Sequence, residues 1–141
     1  MVEEIIKIFV YGSLKKSCWA NKAYLNEAVF ICETLTQDND WKMLEYTSGL
    51  EEEKSFPAIQ RNGNGYILGE LYKADKKILA ALDAYENNGS NYVREIIKLK
   101  NGEQAYAYIG LDQPIPECLP AQNVLFNDIE KAYIWSPPLK K

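Results

Sequence analysis

The side chains best suited to chemistry lie in two short stretches. The first is Tyr11-Gly12-Ser13-Leu14, where a glycine, a small hydroxyl and a series of backbone N–H groups follow an apolar segment. Glycine lets a chain turn sharply and approach a ligand closely, and successive N–H groups in such a turn form an anion-binding concavity. The second is Leu82-Asp83-Ala84-Tyr85-Glu86. Glu86 stands four residues after Leu82, beside the apolar stripe of an expected helix. It also ends that helix, where the macrodipole disfavours negative charge. Partial burial acts in the same direction and raises a carboxyl pKa. A carboxyl tuned this way can take a proton and return it near neutral pH. Asp83 is expected to point further toward solvent. Glu70, inside Tyr66–Tyr72, is the rival carboxylate. Each group also has a plain structural reading: a Gly-Ser turn, an exposed helix-end glutamate paired with Arg94, and an outward residue of an alternating strand.

What the chain lacks narrows the chemistry further. None of its 141 residues is histidine. Ser-His-Asp and Cys-His nucleophilic arrangements are therefore excluded, as are histidine-based zinc sites. The cysteines, Cys18, Cys32 and Cys118, are widely spaced and form no CxxC pair. They read as free thiols in a reducing, cytoplasmic compartment. No phosphate-loop or dinucleotide glycine signature is present, so neither metal nor cofactor is expected. A net charge of −4 with no long basic run gives no footprint for nucleic acid or an anionic membrane. No stretch reaches the length of a membrane span, and Glu3 and Glu4 stand where a signal peptide carries basic residues.

The elements that must position these groups follow from pattern. Five of the six residues Ile5–Val10 are apolar and β-favouring, which predicts a strand buried on both faces. Trp19–Ala28 reads as a short helix, and Ala28–Thr36 and Trp41–Thr47 as a pair of strands. Ser48–Ser55 is polar and acidic and reads as a loop. Ala58–Arg61 and Tyr66–Tyr72 are predicted to form a hairpin across Asn62-Gly63-Asn64-Gly65. Asp75 is the expected N-cap of a helix over Lys76–Glu86, with Ile78, Leu79, Leu82 and Tyr85 as its apolar stripe. Tyr92–Lys100 and Glu103–Gly110 form a second predicted hairpin across Asn101-Gly102. In the latter strand Ala105, Ala107 and Ile109 face one way, and Tyr106 and Tyr108 the other. Leu111–Pro120 reads as irregular, Asn127–Trp135 as a short helix and Ser136–Lys141 as a frayed tail. The expectation is one α+β domain over 1–141, built on a curled or closed sheet with one main helix.

Taken in order, these motifs resemble the γ-glutamylcyclotransferase-like family, in particular its γ-glutamylamine cyclotransferase (AIG2-like) branch. The residues that carry the likeness are Tyr11-Gly12-Ser13-Leu14-Lys15, Asn21, Phe56-Pro57-Ala58, Gly69-Glu70-Leu71-Tyr72, Leu82-Asp83-Ala84-Tyr85-Glu86, Tyr92-Val93-Arg94 and Ala105-Tyr106-Ala107-Tyr108. They span about residues 5–110, leaving 111–141 as a C-terminal extension. Family members usually carry glycine directly after the glutamate, whereas here Asn87 and Asn88 precede Gly89.

The resemblance implies a small mixed β-barrel and a reaction on a small γ-glutamyl molecule. The substrate's α-amine attacks its own γ-carbonyl, releasing 5-oxoproline and a free amine. An intramolecular ring closure draws on proximity and needs no enzyme nucleophile, metal or cofactor. An α-ammonium has a pKa of about 8, so a base must deprotonate it. The resemblance gives that acid/base role to Glu86. It gives the Tyr11–Leu14 loop the substrate's α-carboxylate or the developing oxyanion, and lets Tyr92 and Tyr108 line the pocket. Three readings stand side by side: a cyclotransferase for γ-glutamyl amines or small peptides, an enzyme that removes a γ-glutamyl protecting group from a larger amine, and a non-catalytic ligand-binding or interaction protein on the same fold.

Overall fold

The computed structural model describes residues 5–12, 14–16, 18, 20–48, 51–85, 92–110 and 124–135, and the side chains of all of these except 45–48 and 51–56. In chain order the elements are β1 (Ile6–Val10), α1 (Asn21–Tyr24), β2 (Val29–Leu35), β3 (Trp41–Ser48), β4 (Glu51–Arg61), β5 (Tyr66–Ala74), α2 (Lys76–Tyr85), β6 (Tyr92–Lys98), β7 (Gln104–Gly110), β8 (Val124–Asn127) and β9 (Ala132–Trp135).

The strands form one mixed sheet in the order β3-β4-β7-β1-β5-β9-β8, with β2 also on β5 and β6 also on β7. The sheet curls into a nearly closed barrel. Mutual hydrogen bonds between Trp41 and Gly65 tie the start of β3 to the start of β5. A second bridge, Thr36 with Leu99, ties the ends of β2 and β6.

β1 lies at the centre, parallel to β7 and antiparallel to β5. Its unbroken apolar run has the predicted consequence: Phe9 joins the barrel interior, and Ile6, Ile8 and Val10 join the cluster on the opposite face. β7 is divided in the same way. Ala105, Ala107 and Ile109 face the interior, while Tyr106 and Tyr108 face the outer cluster. α2 covers that outer face with Leu79 and Leu82, which are buried. Its Asp75 side chain accepts the Ile78 N–H at 2.9 Å, as the expected N-cap.

Several connections differ from expectation. Asn62 does adopt positive φ (68°), but β4 and β5 do not pair with each other. β4 lies between β3 and β7, and β5 lies between β1 and β9. The turn instead folds onto the start of β3, where Gly63 N–H donates to Asp40 O and Gly65 exchanges bonds with Trp41. The expected β2–β3 pair is also absent, because β2 pairs with β5 and β3 with β4. Most of the predicted acidic loop 48–55 is strand, with Ser48 opposite Glu51 and Thr47 opposite Ser55. Backbone pairing with β3 outweighs the low strand propensity of the glutamates. The helix expected over Asn127–Trp135 is a β-hairpin. Asn127 Oδ1 caps the turn by accepting from Ile129 and Glu130 N–H groups, and Lys131 takes φ of 58°. This hairpin docks through β9 on β5 and buries Trp135 in the barrel interior. Residues 111–123 and 136–141, which held the expected irregular segment and tail, lie outside the described residues.

Candidate functional site

Because β1, β4 and β7 run parallel, the C-terminal end of β1 lies beside the same ends of its neighbours. Tyr11 extends β1 into the barrel core. Its hydroxyl donates to the Tyr108 carbonyl at 2.6 Å and accepts from Ile59 N–H at 3.4 Å. Gly12 follows directly against β4: a Cβ there would lie 2.5 Å from Pro57 Cγ. Glycine is required by this contact, since β4 brings the proline ring onto the turn. The Tyr92 hydroxyl donates to the Pro57 carbonyl at 2.9 Å. Gly110 packs equally closely, with a built Cβ 2.7 Å from Ala58 Cβ. Segments distant in sequence thus meet around one proline.

The outer face of the same sheet region holds α2. Asp83 accepts from the Tyr108 hydroxyl and from Arg94 Nη1, each at 2.6 Å. The Asp83 and Arg94 side chains are about one quarter exposed, at 28% and 27%. Asp83 therefore does not point away toward solvent, as the helical stripe implied. Arg94 is drawn to Asp83, and its guanidinium stacks on Tyr106, 4.9 Å from the ring centroid. No sequence spacing announces this triad, which is formed by pairing β6 with β7 in the register Arg94–Tyr108.

The turn after β1 is held from a third direction. Lys15 N–H donates to Gly12 O at 2.9 Å, and Cys18 N–H to Lys15 O at 2.9 Å. Asn21 Nδ2 donates to Leu14 O at 2.7 Å, and Lys16 N–H donates to Glu70 Oε1 at 2.8 Å. Neither the Gly12 nor the Leu14 N–H takes part in these bonds. Lys15 Nζ reaches the Trp135 carbonyl at 2.6 Å, so the C-terminal hairpin abuts the turn. Glu70 is not simply an outward strand residue, since it also accepts from the Tyr72 hydroxyl at 3.0 Å.

Of the residues singled out from the sequence, Tyr11, Gly12, Leu14, Tyr92 and Tyr108 gather at this end of the barrel. Tyr11 and Tyr92 are buried and spend their hydroxyls on backbone carbonyls. Ser13 and Glu86 lie outside the described residues. Glu86 follows Tyr85, the last residue of α2, three positions after Asp83. Sequence reasoning missed Asp83. The available signal was the outward-facing Tyr108, whose hydroxyl needed a partner once its face was covered by α2. Among the described residues, no group of three or more Cys, Asp or Glu side chains is arranged to hold a metal ion. No helix there is long and apolar enough to cross a membrane.

Known proteins share both this sequence pattern and this fold. The chain is 31% identical to a γ-glutamylcyclotransferase family protein of Citrobacter rodentium over 104 residues, covering 74% of this chain and 81% of that protein. The mouse AIG2-like protein superposes with a TM-score of 0.61 at 21% identity, over 98% of this chain and 99% of that one. Allophanate hydrolase of Kluyveromyces lactis contains a similar fold, with a TM-score of 0.66 at 16% identity over 82% of this chain but only 19% of the hydrolase. The family model described as "Gamma-glutamyl cyclotransferase, AIG2-like" matches residues 8–123. With motifs, barrel and relatives in agreement, the chain belongs to the γ-glutamyl cyclotransferase, AIG2-like family.

Proposed function

We propose that this chain is a γ-glutamyl cyclotransferase that converts a γ-glutamyl amine or small γ-glutamyl peptide into 5-oxoproline and a free amine. The observation that carries the reading is the double use of Tyr108. Its hydroxyl holds Asp83 in the last turns of α2, and its carbonyl accepts the hydroxyl of Tyr11, the residue before the Gly12–Leu14 turn. One residue thereby couples the helix that leads into Glu86 to the loop suited to an anion.

In this reading Glu86 removes a proton from the substrate's α-ammonium. The freed amine attacks the γ-carbonyl carbon, forming the ring C–N bond. The tetrahedral intermediate collapses as the bond to the leaving nitrogen breaks, and Glu86 returns its proton to that nitrogen. The second proton passes from the α-nitrogen to solvent as that nitrogen becomes the lactam N–H, and the released amine takes up a proton from solvent to leave as an ammonium. The Gly12–Leu14 N–H groups bind the α-carboxylate or the developing oxyanion. Ring closure within one bound molecule provides the proximity that a bimolecular reaction lacks.

The test is incubation with a panel of γ-glutamyl amines and dipeptides, assayed for 5-oxoproline. Release by the parent chain and loss in Glu86→Gln is the expected result. The same barrel within a large hydrolase shows that this fold occurs in differently named proteins. A parent chain that binds γ-glutamyl compounds without releasing 5-oxoproline establishes the non-catalytic, ligand-binding reading instead.

A further inference from the structure

The Gly69-Glu70-Leu71-Tyr72 segment has a use beyond strand pairing. Gly69 lets β5 press against β1, since a Cβ there would stand 2.6 Å from both Phe9 Cζ and the Val10 carbonyl. That closeness brings Glu70 opposite Val10, at the point where β1 gives way to the turn. Glu70 Oε1 then accepts from Lys16 N–H at 2.8 Å and from the Tyr72 hydroxyl at 3.0 Å. The same hydroxyl accepts from Asn21 Nδ2 at 3.1 Å, and Asn21 Nδ2 also donates to the Leu14 carbonyl at 2.7 Å. A continuous path therefore leaves the turn at Lys16 N–H, passes through Glu70, Tyr72 and Asn21, and returns to the turn at Leu14 O. Tyr72 is its middle member and is buried. Burial, and then the hydrogen bond to Glu70, push its hydroxyl pKa well above the ordinary tyrosine range, so it stays a donor.

We propose that Tyr72 is a positioning residue for the Gly12–Leu14 turn, acting through Glu70 and Asn21 to set affinity for the α-carboxylate of a γ-glutamyl substrate. This rests on the cyclotransferase reading and decides which anion the turn serves. The α-carboxylate carries the same charge in the bound substrate and in the transition state. A turn that grips it supplies uniform binding, and loosening that turn raises KM while leaving kcat nearly unchanged. A turn that grips the oxyanion shows the opposite split.

The experiment is steady-state 5-oxoproline release by Tyr72→Phe, which deletes one hydroxyl and keeps the ring. A KM about tenfold higher with kcat within about twofold of the parent is expected. Glu70→Gln is expected to shift KM in the same direction by less, because it still accepts from Lys16 N–H. Thr36→Val serves as the stability control: its hydroxyl bonds Ile67 N–H and Asp38 O, away from the turn. At matched melting temperature Thr36→Val should keep the parent KM. Should Tyr72→Phe fail to fold, Asn21→Ala carries the same test from a half-buried site. Calorimetric titration with a γ-glutamyl alkylamine, done in a Glu86→Gln background that does not turn it over, reads the same loss as a weaker Kd. Unchanged KM, kcat and Kd overturn the positioning role alone, and a fall in kcat at constant KM overturns the assignment of the turn to the α-carboxylate. A parent that neither binds nor cyclises any γ-glutamyl compound overturns the cyclotransferase reading and this inference together.

Discussion

The Asp83 carboxylate and the Tyr108 hydroxyl meet at 2.6 Å, joining the C-terminal half of α2 to β7. Arg94 reaches the other Asp83 oxygen from β6. Hydrogen bonds to a charged group contribute about 1.5–3 kcal/mol each, and partial exposure places these at the lower end. Tyr108→Phe is expected to cost about 1–2 kcal/mol in denaturant melts. Because Glu86 follows three residues later, its effect on turnover should exceed its effect on KM, with kcat falling about tenfold through misplacement of the base. A kcat equal to that of the parent separates Asp83 and Tyr108 from the chemistry.

Glu86→Gln keeps the shape of the side chain but cannot accept the ammonium proton. Turnover should fall by about 10²-fold or more, the usual scale for loss of a general base, while calorimetry shows the γ-glutamyl ligand still bound. Near-parental turnover rules Glu86 out as the base. Glu70→Gln provides the contrast, since its consequence is expected in KM rather than kcat.

Gly12 is constrained by the Pro57 ring rather than by its own φ. Gly12→Val must displace that ring, because even a Cβ falls 2.5 Å from Pro57 Cγ. Overpacking of this kind costs about 1–3 kcal/mol. Weaker binding of a γ-glutamyl amine should accompany the loss of stability. Retention of parental Kd and melting temperature shows that the turn accommodates a side chain and does not approach the ligand.

Metal removal provides an independent check. The proposed intramolecular reaction requires no Lewis acid, and the chain has no histidine. Dialysis against a strong chelator should leave 5-oxoproline release unchanged. Activity lost on chelation and regained with a divalent cation contradicts the proposed mechanism.

The parts of this structure that were legible in the sequence are those set by local or two-sided burial patterns. The run Ile5–Val10 announced a strand covered on both faces, and Asp75 with Ile78, Leu79 and Leu82 announced the capped helix. Asn101-Gly102 announced the β6–β7 hairpin, with Gly102 at φ of 90°. Strand partners were less legible. An Asn-Gly turn such as Asn62–Gly65 reports that the chain changes direction, not that the flanking strands pair, and here Gly65 bonds Trp41 instead. The site shows the same division. Tyr11, Gly12 and Tyr108 stand out by type and position, and the family resemblance groups them. The Asp83–Arg94–Tyr108 cluster depends on a cross-strand register, and the Glu70–Tyr72–Asn21 path on contacts between elements up to 54 residues apart. Neither arises from any periodicity along the chain.

The placement of β1 has a further consequence for biosynthesis. Ile8 lies opposite Tyr106 on one side and Tyr72 on the other. β1, made before β5 and β7, is therefore completed only after both. At about 5–20 residues per second, the roughly 100 residues between Ile8 and Tyr106 take about 5–20 s to be synthesised. Through that interval the apolar Ile5–Val10 segment is without its parallel neighbour, and long-range pairing of this kind slows folding. A nascent chain halted before β7 should remain protease-sensitive and be held by chaperones, whereas one extended past Gly110 acquires the central strand pair. Synthesis of β7, rather than local strand propensity, then sets when β1 gains the parallel neighbour that flanks the Gly12 turn.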